Sequence, residues 1–156
     1  MKDIIGGKVL KKIWYNILML QDRCRGTDFY ASVESGEQGT PDSGSGSRYQ
    51  ATSSLYDRSL KAFLKQQHHE NDAIIDIGCG KGRMLEVFSC FDFSKVAGLE
   101  YSLELAEVAR MNMQKLGVSC KVFTGDATIF NAYDDYNWFY LFNPFPEPIM
   151  EKFVKN

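Results

Sequence analysis

At 156 residues, with 44% apolar and 24% charged side chains, the sequence has the make-up of one soluble globular domain, too polar for a membrane channel and too apolar for a disordered tail. A chain of this length buries roughly 70% of its unfolded surface, so its core needs no disulfide or metal staple. The formal net charge of −2 argues against a dedicated nucleic-acid binder, although residues 1–30 carry six Lys/Arg against three Asp/Glu.

The first predicted element is a helix. Lys8, Lys11 and Lys12 precede the apolar run 13–20 and imitate a signal peptide, but Asn16 interrupts the run and Gln21-Asp22-Arg23-Cys24 follows where a small-x-small cleavage site is required. The run is also too short to span a bilayer. Val9, Ile13 and Ile17, with Leu10, Trp14 and Leu18 beside them, recur at helical spacing, and the resulting amphipathic helix is expected to pack on its own domain. A substrate-facing lid and a membrane-surface helix are the alternatives.

Residues 36–47 contain no apolar side chain and four glycines, and such a stretch cannot bury enough surface to order itself. A flexible loop over 36–48 is expected, either a surface connection or a lid over a ligand. The chain thus divides into an N-terminal helical segment (1–35), this loop, and a domain over 49–156.

Beyond Tyr49 the pattern becomes regular. Ser53 or Ser54 caps a predicted helix running to about Gln67, with Leu55, Leu60, Phe63 and Leu64 on its apolar face. Ala73-Ile74-Ile75-Asp76-Ile77 reads as a buried strand, 84–89 as helix, 95–99 as a second strand and 103–116 as a strong helix ended by Gly117. A third strand is predicted over 118–124 and a fourth over 137–142, whose Trp-Phe-Tyr-Leu-Phe run suggests burial on both faces. Strands alternating with helices at this spacing mean an α/β fold with a parallel sheet and right-handed crossovers. Ligands of such sheets bind at the carboxyl ends of the strands.

The chemical residues lie at those ends. The segment Asp76-Ile77-Gly78-Cys79-Gly80-Lys81-Gly82 follows the first strand and opens a helix, with glycines at alternate positions of a sharp turn. A nicotinamide fingerprint fails because Arg83 stands where the third Gly or Ala of G-x-G-x-x-G/A belongs. A P-loop fails as well, since Ile75 stands where its first glycine is required and Gly82 follows Gly80-Lys81. What remains, G-x-G-x-G after an acidic strand end, suits a nucleoside ligand without a pyrophosphate. Glu100 ends the second strand where a Rossmann-like fold keeps a ribose-binding carboxylate, and Gly125-Asp126-Ala127 ends the third.

With these strand ends, residues 49–148 resemble the class I S-adenosylmethionine-dependent methyltransferases. Segment 76–82 is similar to that family's first motif, and Glu100 to its ribose-binding acid. Gly125-Asp126-Ala127 is similar to the segment beside the adenine, and Asn143-Pro144-Phe145-Pro146 to the [DN]-P-P-[FYW] motif of amino-group methyltransferases, with Phe145 in place of the second proline. The resemblance implies a Rossmann-like three-layer sandwich with a mainly parallel sheet and S-adenosyl-L-methionine as cofactor. It implies that Asp76, Gly78, Cys79, Gly80, Gly82, Glu100, Tyr101, Asp126 and Ala127 hold that cofactor, and that Asn143, Pro144 and Phe145 act on the acceptor. The acceptor class stays open among a protein side chain, a nucleobase and a small molecule.

Family members continue with three more strands after the fourth, whereas residues 147–156 suffice for one helix start. The chain therefore reads as lacking the C-terminal strands, with weak turnover expected and the fourth-strand edge open to a homodimer. A non-catalytic cofactor-binding or assembly module is the alternative, and a nicotinamide-dependent oxidoreductase is disfavoured by Arg83. The four cysteines form no C-x-x-C pair, and only His68 and His69 could complete a site, so neither zinc nor a disulfide framework is expected and the cytoplasm is the natural compartment.

Overall fold

The structure is a computed structural model that describes residues 2–31 and 54–156. The loop expected at 36–48 and the candidate cap Ser53 lie outside the described residues. Helix α1 (Lys2–Arg25) and helix α2 (Ser54–Gln67) precede the sheet. Then follow β1 (Ala73–Ile77), α3 (Arg83–Phe88), β2 (Lys95–Glu100), α4 (Leu103–Leu116), β3 (Lys121–Thr124), a short 3-10 turn at Tyr133–Asp135, β4 (Trp138–Leu141) and α5 (Glu147–Lys155).

The four strands form one parallel sheet in the order β3-β2-β1-β4. β1 is central and buried at every position, which is why its sequence is a continuous apolar run broken only by Asp76. Side-chain alternation splits the core between the two faces. Ala73, Ile75 and Ile77 meet Ala97, Leu99 and Tyr136 on one side, where Phe130, Tyr133 and Phe153 of α5 complete the cluster. Ile74 faces the other way, toward Leu64 of α2 and Met84, Val87 and Phe88 of α3. Phe29, Leu85 and Met113 of α4 extend that second layer. The fold is therefore the expected α/β sandwich around a parallel sheet. Leu85 is fully buried, and Leu85→Ala would cost about 2–5 kcal/mol by leaving a cavity between α3 and the sheet.

Helix α4 has the predicted bounds because both ends are capped. Ser102 Oγ accepts from the Leu105 amide at 3.3 Å, and Gly117, at φ 66°, lets the Val118 amide donate back to Met113 O at 2.9 Å. That cap shortens the third strand from the expected 118–124 to 121–124, since the Val118 amide is spent on the helix. The fourth strand is also shorter than expected and is not buried on both faces. β4 lies at the sheet edge, and Phe139 remains 44% exposed.

The N-terminal helix departs furthest from expectation. Of the predicted stripe, Val9's burial lies outside what is described; among the others Leu18 is buried, while Leu10, Ile13, Trp14 and Ile17 stay exposed. The helix is tied down by polar groups near its end. Buried Asp22 accepts from Thr27 Oγ1 at 2.8 Å and from the amides of Phe29 and Tyr30 at 2.8 and 2.9 Å, and Tyr15 donates to the Tyr30 carbonyl at 2.9 Å. Periodicity finds a helix; it does not say which side meets the domain. Among the described residues, no helix is long and apolar enough to cross a membrane.

Candidate functional site

The parallel arrangement brings the ends of all four strands to one edge of the sheet. β1 runs into a turn in which Gly78, Gly80 and Gly82 have φ of 77°, 52° and 82°, a region that side chains with a Cβ avoid. The turn is stitched to β2: Gly78 and Cys79 donate their amides to Leu99 O at 2.8 and 3.1 Å, and the Gly80 amide donates to Glu100 Oε2 at 2.8 Å. A Cβ on Gly82 would meet Ala109 of α4 at 3.2 Å, so the third glycine of G-x-G-x-G lets turn and helix pack closely, the task that Arg83 could not perform. Cys79 lines the turn with its backbone only. Its thiol is buried beneath β2, where Gly98 leaves it room: a Cβ there would lie 2.6 Å from the sulfur.

Two acids converge behind the turn. Asp76 is buried and takes no hydrogen bond from any described residue; burial first, and then the charge of Glu100, push its carboxyl up to about 8. At neutral pH it holds its proton. Burial also raises Glu100, against the lowering effect of the Ser102, Gly80 and Tyr101 amides. Its Oε1 accepts from Ser102 N at 3.0 Å and its Oε2 from Gly80 N. The Tyr101 amide also acts on this carboxylate, and a carboxylate's two oxygens offer about four acceptor sites, so capacity for a further donor remains.

At the third strand end, Asp126 Oδ1 accepts from the Thr128 amide and hydroxyl at 2.7 and 2.8 Å, holding the loop in a tight turn. Tyr133 donates to Ala127 O at 2.7 Å; burial, with the Asp126 charge second, raises its hydroxyl to about 12. Tyr101 and Ile129, 44% and 76% exposed, stand beside these acids as open apolar surfaces.

After β4 the chain turns back over the glycines. Asn143 is exposed and adopts φ 48°, alone among the described non-glycine residues in that region, and Pro144 packs against Gly78. Phe145 is half-buried, its ring 5.7 Å from that of Phe153 and packed on the core cluster.

The structure thus gathers Asp76, the glycine turn, Glu100 and Asn143-Pro144 at one edge, with Tyr101 and Asp126 at the neighbouring strand ends. Sequence reasoning missed a further layer. Lys81 is buried, and its Nζ donates to Asp28 Oδ2 at 2.8 Å and to Ala31 O at 3.0 Å. Asn112 of α4 joins the same pair of segments. A lysine between two glycines was the available signal.

The profile of a family described as "Methyltransferase domain" matches residues 74–156, more than half of the chain. The chain belongs to the methyltransferase-domain family. Solved methyltransferases share this domain's fold. An RNA methyltransferase from Salinibacter ruber, crystallised with S-adenosyl-L-homocysteine, is 20% identical, with a TM-score of 0.51 over 59% of this chain and 60% of that one. The methyltransferase domain of bacterial CtHen1 is 20% identical, with a TM-score of 0.52 over 64% of this chain and 56% of that one. A methyltransferase from Thiobacillus denitrificans in complex with S-adenosyl-L-homocysteine is 25% identical, with a TM-score of 0.43 over 50% of this chain and 32% of that one. The chain spans less than two thirds of the length of each of these proteins. No curated protein matches the sequence.

The cofactor of this methyltransferase family is S-adenosyl-L-methionine, and the residues present fit it. Asp76 is a buried carboxyl that takes no hydrogen bond from any described residue, the glycine turn exposes main chain, and the Glu100 carboxylate keeps acceptor capacity for a hydroxyl.

Proposed function

We propose that this domain binds S-adenosyl-L-methionine across the carboxyl ends of β1, β2 and β3 and transfers its methyl group to an acceptor nitrogen beside Asn143. The observation that carries the reading is the convergence of the unpartnered Asp76 carboxyl, the glycine turn and Glu100 at the edge where Asn143-Pro144 folds back. In this reading Glu100 accepts from the ribose hydroxyls and Gly78, Gly80 and Gly82 let the ligand approach the main chain, with the Cys79 backbone between them. Asp76 faces the amino-acid portion, and Tyr101, Asp126 and Ala127 border the adenine.

When bound, the cofactor supplies a methyl carbon made electrophilic by a sulfonium. The protein's task is alignment and exclusion of water, which for a well-oriented pair supplies several orders of magnitude in rate. The Asn143 side-chain carbonyl, joined by the Pro144 carbonyl, accepts hydrogen bonds from an amino group and so turns its lone pair toward the methyl. The left-handed backbone of Asn143 supports this role, because strained non-glycine residues concentrate at functional sites. Phe145, packed on Phe153, contributes a wall to the pocket, with its exposed part available to a planar acceptor.

Titration calorimetry with S-adenosyl-L-methionine, S-adenosyl-L-homocysteine, NAD and ATP tests the cofactor half: binding of the first two alone is expected, and binding of NAD or ATP in their place would overturn it. Methyl transfer to protein, nucleobase and small-molecule amines tests the other half, and cofactor binding without transfer to any acceptor would favour a non-catalytic module. The four free cysteines suit a reducing cytoplasm, and the position of β4 at the end of the strand order suits pairing with a second copy.

A further inference from the structure

Three residues in and just after the glycine turn reach the same segment. Phe29 is buried against Cys79, Leu85 and Met113; Lys81 Nζ donates to Asp28 and Ala31; Arg83 Nε donates to the Tyr30 hydroxyl at 2.9 Å. Cys79 and Lys81 of the turn and Arg83 at the start of α3 therefore each contact the segment 28–31. Asn112, itself buried, joins the two backbones: it donates to Lys81 O at 3.0 Å and Asp28 O at 3.1 Å, and accepts from Asp28 N at 2.8 Å.

We infer that residues 22–31 are a strap that fixes the glycine turn in its ligand-binding shape, and that Lys81 is the positioning residue that joins them. The inference rests on the proposed cofactor site and assigns Lys81 no contact with the cofactor. Its physical basis is the cost of a buried charge. The Lys81 side chain is only 2% exposed, so its ammonium needs partners close by, and the strap supplies two of them, the Asp28 carboxylate and the Ala31 carbonyl. Holding Nζ on Asp28 and Ala31 fixes the main chain at Lys81, which lies between Gly80 at φ 52° and Gly82 at φ 82°. Glycines have more backbone freedom than any other residue, so a turn built from them needs an external restraint to keep one shape. The Gly80 amide, bonded to Glu100, links that restraint to the acid assigned to the ribose. On the other side Asp22 fixes the strap, through its bonds to Thr27, Phe29 and Tyr30.

The test compares S-adenosyl-L-homocysteine affinity by calorimetry for the unmodified chain, Lys81→Met, Lys81→Arg and Asp28→Asn, with hydrogen exchange at the Gly80 and Gly82 amides as a second readout. Asp28 is half-exposed, so Asp28→Asn serves where Lys81→Met fails to fold. Affinity is expected to fall about tenfold in Lys81→Met and Asp28→Asn, with faster exchange at both glycines and substantial recovery in Lys81→Arg. Unchanged affinity and exchange in folded variants that merely melt earlier would overturn the strap and leave the cofactor site standing. An unmodified chain that binds no S-adenosyl-L-homocysteine would instead remove the site on which the strap depends.

Discussion

The Cβ that Gly78 lacks would lie 2.7 Å from the Cβ of Pro144, closer than real Cβ contacts come. The turn assigned to the cofactor and the segment assigned to the acceptor are thus in van der Waals contact through a missing side chain. Gly78→Ala should force them apart and also strain a backbone at φ 77°, for a combined cost of about 1–3 kcal/mol. Cofactor affinity should fall with stability. A Gly78→Ala protein with unaltered melting temperature and affinity would contradict the close approach.

Glu100 offers a sharper test of the cofactor assignment. Glu100→Ala should weaken cofactor binding by about 1.5–3 kcal/mol, the worth of hydrogen bonds to a charged acceptor. Because Gly80 and Ser102 also donate to this carboxylate, part of the loss comes from a loosened turn. Glu100→Gln keeps one acceptor oxygen and should lose less. Equal affinity in Glu100→Ala and the parent, measured by calorimetry on folded protein, would sink the ribose assignment.

The strand ends were legible because each carries a local signal. Apolar runs marked β1 and β2, glycines at alternate positions marked the turn, and Ser102 and Gly117 marked both ends of α4. The shortening of β3 was hidden because Val118 is apolar in either role; only the helix cap decides where its amide goes. The exposure of Phe139 was hidden because an aromatic run looks the same at the edge of a sheet as at its centre. The strap was hidden for a different reason. Asp28, Lys81 and Asn112 are far apart in sequence and each looks like an ordinary surface polar residue.

Asp76 predicts a pH dependence with a definite sign. The folded protein keeps its proton up to about 8, whereas the unfolded chain releases it near 3.8. Between those values the folded state binds more protons, so this group's contribution to stability is full at low pH, declines as pH rises through that window, and levels off above it. Asp76→Asn removes the titration. Melting temperature against pH should therefore fall less steeply from pH 4 to 8 in Asp76→Asn than in the parent. Parallel profiles would show that Asp76 ionises normally.

The edge of β4 predicts self-association. Among the described residues β4 has β1 as its one strand neighbour, which leaves it at the edge of the sheet with Phe139 44% exposed. Such an edge is a template for another strand unless a charge or a covering element blocks it. The 156-residue chain should show a concentration-dependent dimer in sedimentation equilibrium, and Phe139→Lys should shift it to monomer. A parent chain that stays monomeric at every concentration, with this edge uncovered, would contradict the argument.

Asn143 separates an acceptor-binding residue from an ordinary turn. Its φ of 48° suits glycine better than alanine, so Asn143→Gly deletes the side chain while easing the backbone, and Asn143→Ala adds strain to the same deletion. If the side-chain carbonyl orients an amino acceptor, both variants should lose transfer to a similar extent, about tenfold or more, because the interaction strengthens in the reacting complex. Cofactor affinity should stay near that of the parent in Asn143→Gly. If the residue only shapes the turn, Asn143→Gly should keep transfer and Asn143→Ala should lose stability, cofactor affinity and transfer together, since Pro144 rests directly on Gly78. Single-turnover transfer rates beside calorimetric affinities, on the same two variants, distinguish these outcomes.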